Sequence, residues 1–488
     1  MLYCLLIGLV VQQSDYHGFG RNDFKFNGMD AVVVEPKRPA KGNPWIWRTE
    51  FFDHRPMLDI ALLDQGWRLA FLNVGNTFGC PSAIDRFTQF YSEMVSNRKL
   101  NRRVVLEGFS RGGLYAYNWA IANPDKVMAI YGDAPVCDFK TWPAGGKGGQ
   151  RSESDWQELI RDCGFPNELA ALRYPFNPVD RLAPLAEARI PLIHVVGDAD
   201  SVVPVGPNTN LVEQRYKALG GTIKVIHKPG LDHYPHSLDD PKPILDFLSE
   251  HAEDSTNAKP ATLIPAPNPE SRYDSAGWQG RSWLDQHKDS CSVAKLLQPR
   301  VVLIGDSITQ GFGGPGRKVG SAGEEAFKRY LSPLNAIQMG ISGDRTQHVL
   351  WRIADGALDD CKPDWVVLLI GVNNLHSDSP HNIAGGIIKS MQSIHLKQPL
   401  SKLILMALFP TGRNPDSPER HAVNSINKEL KGFCKSNSYP ILLDITQDLL
   451  LKDGSTDFTK MAGDSLHLVQ GGYEVWARAL ASVIASHT

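Results

Sequence analysis

Short runs of Val, Ile and Leu recur along the chain, and amphipathic segments of helical period separate them. In the first half the runs lie at 31–34, 69–74, 103–106, 127–131, 192–196 and 223–227, with helix-like stretches such as 112–122 and 208–219 between them. In the second half they lie at 300–304, 335–339, 365–370, 403–408 and 440–443. Continuous aliphatic runs alternating with helices predict parallel sheets covered on both faces, an α/β class of fold. Between the halves, residues 252–275 carry Pro260, Pro265, Pro267 and Pro269 among Ser, Asn and Glu, without periodicity, and read as a semi-extended linker. The expected domains are 16–251 and 276–488. No motif is repeated between them, so two different folds are expected.

Composition narrows the function. A length of 488 residues suits two or more domains. With 51 Lys plus Arg against 53 Asp plus Glu, the net charge is −2. That removes the basic footprint of a nucleic-acid binder or a polybasic membrane anchor. The seven cysteines (4, 80, 137, 163, 291, 361 and 434) form no CxxC and no Cys/His cluster at zinc spacing, so no metal site is expected. Their odd number leaves at least one free thiol. Residues 1–15 open with an apolar run, Leu2 to Val11, that is too short to span a bilayer. It has the length of a signal-peptide core, but no Lys or Arg precedes it and no small-x-small site follows. The readings are a remnant export signal, which implies a secreted or periplasmic protein, or a first buried strand in a cytoplasmic one.

The first candidate site begins where the run at 103–106 enters Gly108-Phe109-Ser110-Arg111-Gly112-Gly113 and then a helical segment. A Ser flanked by glycines at this strand–turn–helix junction is forced into a strained conformation that exposes Oγ, and the Arg111 backbone N–H becomes an oxyanion donor. Such a nucleophile needs an acid and then a His later in the chain. The run at 192–196 leads into Gly197-Asp198-Ala199-Asp200-Ser201, and Asp200 fits the acid better than Asp198. After 223–227 come Pro229-Gly230-Leu231-Asp232-His233-Tyr234-Pro235-His236; His233 is the favoured base and His236 a structural hydrogen-bonder.

The second site is written in four blocks: Gly305-Asp306-Ser307, Gly340-Ile341-Ser342-Gly343-Asp344, Gly371-Val372-Asn373-Asn374 and Asp464-Ser465-Leu466-His467. The first three each follow a predicted strand, so their loops share the C-terminal edge of one sheet, where such folds bind ligands. Ser307 is the candidate nucleophile and His467 the base, oriented by Asp464. The Ser307 and Gly343 N–H groups and the Asn373 amide are candidate oxyanion donors. Asn374 is a candidate substrate contact.

Residues 20–250 resemble the α/β-hydrolase superfamily. That resemblance implies a second oxyanion donor from the loop holding Pro44 to Phe52, where no Gly-rich motif appears and the Arg48 or Thr49 N–H is the candidate. Trp142 and Trp156, with glycines 145, 146, 148 and 149, suggest a flexible lid or sugar platform, or an ordinary surface excursion. Residues 276–488 resemble the SGNH (GDSL-type) hydrolases, and Gly343 to Arg352 looks much like the catalytic subunits of intracellular platelet-activating-factor acetylhydrolase. Gly311-Phe312-Gly313-Gly314 departs from a bulky lipid-facing segment and points away from an ether lipid. The lineage also includes bacterial carbohydrate acetylesterases.

Acyl transfer through serine requires no cofactor. The expected activity is a two-site carboxylic-ester hydrolase that removes acetyl, and also feruloyl, groups from plant polysaccharide. The partner is the acylated polymer, with neither nucleic acid nor a membrane span. The alternatives are a lipid or platelet-activating-factor-type acetylhydrolase, or one active esterase beside a substrate-binding module.

Overall fold

A computed structural model describes residues 13–251, 259–268, 275, 277–315 and 321–487. The chain divides into two compact units, Met1–Ala261 and Thr262–Thr488.

The first unit is built on a nine-stranded sheet. Its strands are β1 (Gln13–Tyr16), β2 (Phe19–Phe26), β3 (Met29–Glu35), β4 (Trp45–Arg48), β5 (Arg68–Leu72), β6 (Val104–Phe109), β7 (Val127–Asp133), β8 (Leu192–Gly197) and β9 (Ile223–Lys228). They lie in the order β1-β2-β3-β5-β4-β6-β7-β8-β9. The β1/β2, β2/β3 and β3/β5 pairs are antiparallel and the rest parallel. This is the α/β-hydrolase arrangement, with strands four and five exchanged in space and one extra edge strand.

Three strands lie outside the aliphatic-run reading. β1 and β2 are mostly polar and half-exposed, and carry no aliphatic run. Their tight turns use residues at positive φ, His17-Gly18 and Asn27-Gly28. Residues 13–15, assigned above to the leader, pair with β2; Leu2 to Val11 fall outside the described residues. β4 holds Trp45 and Trp47 on one face, stacked at 5.7 Å between centroids, and is buried throughout. A disulfide joins Cys80 to Cys163.

The second unit carries a five-stranded, wholly parallel sheet: β10 (Val301–Gly305), β11 (Ala336–Gln338), β12 (Trp365–Leu369), β13 (Lys402–Met406) and β14 (Pro440–Leu443). The order is β11-β10-β12-β13-β14, the flavodoxin-like winding. The linker reading fails for 262–268. Thr262, Ile264, Ala266 and Asn268 are buried, the Ala266 N–H donates to Gln347 O at 3.1 Å, and Thr346 Oγ1 donates to Thr262 O at 3.1 Å. A proline-rich composition concealed a segment that supplies core. Among the described residues, no helix is long and apolar enough to cross a membrane.

Two candidate serine-hydrolase sites

At the end of β6, Ser110 sits at φ +48° on the turn into the helix Gly112–Ala122. A Cβ at Gly108 would lie 2.8 Å from Gly112 O, so glycine is sterically required there, and one at Gly112 would press on Glu50 Cβ at 3.1 Å. Ser110 Oγ lies 3.0 Å from His233 Nε2, and His233 Nδ1 lies 2.8 Å from Asp200 Oδ2. Asp200 Oδ1 accepts the Val202 and Val203 N–H groups at 3.0 and 2.8 Å, which holds the carboxylate in place. Ser110, Asp200 and His233 are therefore brought together from three strand ends.

The alternatives are engaged elsewhere. Asp198 pairs with His227 at 2.7 Å on the surface. His236 Nδ1 meets Asp133 Oδ1 at 2.7 Å, and Asp133 Oδ2 accepts the Ser237 N–H at 2.8 Å. Those bonds hold down the loop that carries His233.

Arg48 does not serve as an oxyanion donor. It is a residue of the central strand β4, and its guanidinium is buried beneath the elbow. Nη2 lies 3.0 Å from both Glu107 and Asp59, and Nη1 donates to Phe51 O and His54 O at 2.9 and 2.7 Å. Burial pushes the Glu107 carboxyl well above its usual range, with Arg48 pulling the other way. The Thr49 N–H is also consumed, by Glu107 O at 2.9 Å. Arg48 instead anchors the loop beyond β4, where Phe51, Asp53 and Arg55 all adopt positive φ. The signal for it was an arginine inside an otherwise apolar WIWR run.

The Arg111 side chain donates to Glu50 at 3.2 Å, while burial raises the Glu50 carboxyl. Trp142 is half-buried, 6.3 Å from Phe78 between centroids. Trp156 is no platform: it is fully buried, and its Nε1 donates to Glu168 at 2.9 Å. The glycine-rich segment is packed, since a Cβ at Gly149 would lie 2.2 Å from Thr141 O. It leans on the acid-bearing loop through the Gln150 N–H to Val202 O, 3.2 Å.

In the second unit Ser307 opens a short helix at the end of β10, and its Oγ lies 2.9 Å from His467 Nε2. His467 Nδ1 lies 2.7 Å from Asp464 Oδ2, and Asp464 Oδ1 accepts the Leu466 and His467 N–H groups at 3.0 Å each. Burial raises the Asp464 carboxyl, but these bonds outweigh it and leave the group below its usual range. Asp306 caps the helix by accepting the Ile308 N–H at 3.0 Å, and burial pushes its carboxyl up to about 7.

Gly343 adopts φ +86° at the end of the loop after β11, and Asn373 Nδ2 donates to the carbonyl of the next residue, Asp344, at 2.8 Å, which ties the Asn373 loop to the Gly343 loop. Burial likewise pushes Asp344 up to about 6, against the pull of Arg352 at 2.8 Å. Asn374 is not a substrate contact. It is fully buried, accepting the Thr346 N–H at 3.0 Å and donating to Gln347 and Asp378. The glycines after Ser307 leave no open surface either, because Tyr473 and Phe327 fill the space at Gly311 and Gly314.

With this geometry established, the GDSL-like lipase/acylhydrolase family matches residues 303–475. The human platelet-activating factor acetylhydrolase IB subunit alpha2 is 34% identical over 202 residues, covering 41% of this chain and 83% of that protein. Among solved structures, a GDSL-like lipase from Bacteroides thetaiotaomicron is 19% identical with a TM-score of 0.35, over 42% of this chain and all of its own. A truncated carbohydrate esterase from gut microbiota is 16% identical with a TM-score of 0.37, over 46% of this chain and 90% of its own.

Proposed function

This chain belongs, through its second unit, to the GDSL-like lipase/acylhydrolase family and is an ester hydrolase; from that premise we propose that it carries two independent serine-esterase sites acting on one acylated polysaccharide. The observation carrying the proposal is the repeated contact geometry: Ser Oγ to His Nε2 at 3.0 and 2.9 Å, with a carboxylate on each Nδ1.

In each site the imidazole takes the Oγ proton as Oγ attacks the ester carbonyl carbon. The carbonyl π electrons move onto oxygen. In the first site that oxyanion is held by the Arg111 N–H and by the N–H of Glu50, the next residue after the consumed Thr49. In the second it is held by the Ser307 and Gly343 N–H groups and the Asn373 amide. Collapse breaks the bond to the alcohol, which leaves with the imidazolium proton. Water, deprotonated by the same His, then releases the acid and restores Oγ–H. No cofactor enters these steps.

The acetyl preference rests on the relatives of the second unit, whose name specifies an acetylhydrolase. The polymer reading rests on architecture. Two different sites on one chain raise effective concentration on a substrate bearing several acyl groups, and the half-exposed His467 and Asp464 leave room for a bulky alcohol. Trp142 offers a face for stacking a sugar ring. The lipid reading draws support from the likeness of the second unit to the human platelet-activating factor acetylhydrolase IB subunit alpha2. The Cys80–Cys163 disulfide supports an oxidising, secreted or periplasmic setting.

The test is a panel of acetylated xylan, methyl ferulate and 4-nitrophenyl acetate with Ser110→Ala and Ser307→Ala. Each variant should abolish a different ester cleavage. A variant that leaves every rate unchanged removes its site from the proposal.

A further inference from the structure

The second site depends on a residue upstream of the family match. A trans peptide unit is planar, so the carbonyl of one residue and the N–H of the next point in opposite directions. Fixing the Ser342 carbonyl therefore aims the Gly343 N–H. Glycine at 343 tolerates either orientation of that peptide, as in turns that differ by one peptide flip, so the orientation must be set from outside.

Trp278 Nε1 donates to Ser342 O at 2.9 Å. On the other side of the same residue, the Ser342 N–H donates to Gln310 Oε1 at 3.1 Å. Gln310 Nε2 in turn donates to Gly277 O at 2.9 Å and to Gln286 Oε1 at 3.0 Å. A Cβ at Gly277 would stand 2.5 Å from Ser342 Cβ, so the 277–278 segment reaches the loop only because this position is bare. Beyond Gly343, Asp344 is held by Trp283 Nε1 at 2.6 Å and by Arg352 at 2.8 Å. The peptide carrying the oxyanion N–H is thus gripped from both sides, and the grip on its carbonyl comes from Trp278.

We infer that Trp278 is a positioning residue of the second site, its indole N–H holding the Ser342–Gly343 peptide with the Gly343 N–H turned toward the oxyanion. This rests on the reading of Ser307 as nucleophile and Gly343 as donor. Without the indole N–H, the flipped peptide presents a carbonyl oxygen to the developing negative charge. The loss falls on the transition state and not on substrate binding.

The experiment uses the full chain carrying Ser110→Ala, with 4-nitrophenyl acetate as substrate and rates normalised to sites titrated by a fluorophosphonate. Trp278→Phe keeps the ring and removes the donor. It should lower kcat about tenfold, as expected for one neutral hydrogen bond, while KM stays within about twofold. Gly277→Ala, which drives the segment off Ser342, should reproduce the fall in kcat. Unchanged kcat per titrated site in both variants, or a change confined to KM, overturns the inference. Adding Ser307→Ala separates the two readings: if activity survives it, the assignment of the site itself fails.

Discussion

The two triads share contact distances but differ in how their carboxylates meet water. In the first unit, the side chains of His233 and Asp200 are 3% and 0% exposed, and the acid arrives from a strand end 33 residues before the base. In the second, His467 and Asp464 are 40% and 50% exposed and sit three residues apart on one turn. A buried carboxylate acts through a low dielectric and is hard to replace. An exposed one is screened, and water can take over part of its role. Identical constellations should therefore depend unequally on their acids.

The sharpest break of this comparison is isosteric. Asp200→Asn should lower kcat of the first site by about 10³–10⁴-fold, because the wrong imidazole tautomer is trapped in a closed environment. Asp464→Asn should cost the second site only about 10–100-fold, since solvent supports the imidazolium there. Equal losses, measured on each site's own ester, would erase the distinction.

A second contrast concerns what lies beneath each site. Arg48 is the cation held between Asp59 and Glu107, all three buried, whereas the Ser342–Asp344 loop is held by neutral donors and by the Asp344–Arg352 pair. Arg48→Met leaves two buried carboxyls without their partner and should destabilise the first unit by roughly 3–5 kcal/mol. Chemical denaturation followed by hydrogen exchange of β6 peptides reads this, with β10 peptides as the unaffected reference.

The smallest effect concerns Asp306. Its carboxyl titrates near 3.8 in the unfolded chain and is pushed up to about 7 when folded. Well below pH 3.8 both states are protonated. Between pH 4 and 7 the unfolded chain ionises first, so the second unit loses stability as pH rises through that window. Asp306→Asn retains an acceptor for the Ile308 N–H and should flatten this slope. Hydrogen exchange of β10 and β12 peptides at pH 5 and pH 8 should show the variant more protected than the parent only at the higher value.

That Ser110, Asp200 and His233 meet, and that Ser307, Asp464 and His467 meet, was legible because each residue belongs to a short motif fixed to a strand end. What escaped was context. Arg48 looked like a loop residue because a four-residue strand containing an arginine carries too little period to register, and its two buried carboxylates are distant in sequence. β2 was missed because its largely polar, half-exposed sequence FGRNDFKF carries no aliphatic run, although Asn27-Gly28 is the turn signal for that hairpin. Asn374 looked like part of the Asn373 motif, yet the next residue on a helical turn points elsewhere, and there it ties Thr346 to Gln347 and Asp378. The 262–268 segment was hidden by composition, since prolines and small residues pack as readily as they extend.

The Cys80–Cys163 bridge reaches beyond the folded state. It spans 83 positions, and closing a loop of that length removes about 4–5 kcal/mol of chain entropy from the denatured ensemble in the simple polymer description. Ser110 lies inside that ring, while Asp200 and His233 lie on the tail beyond it. An unfolded first unit is consequently a tethered circle with a free tail on either side, and Ser110, Asp200 and His233 meet again only when the later tail returns to the ring.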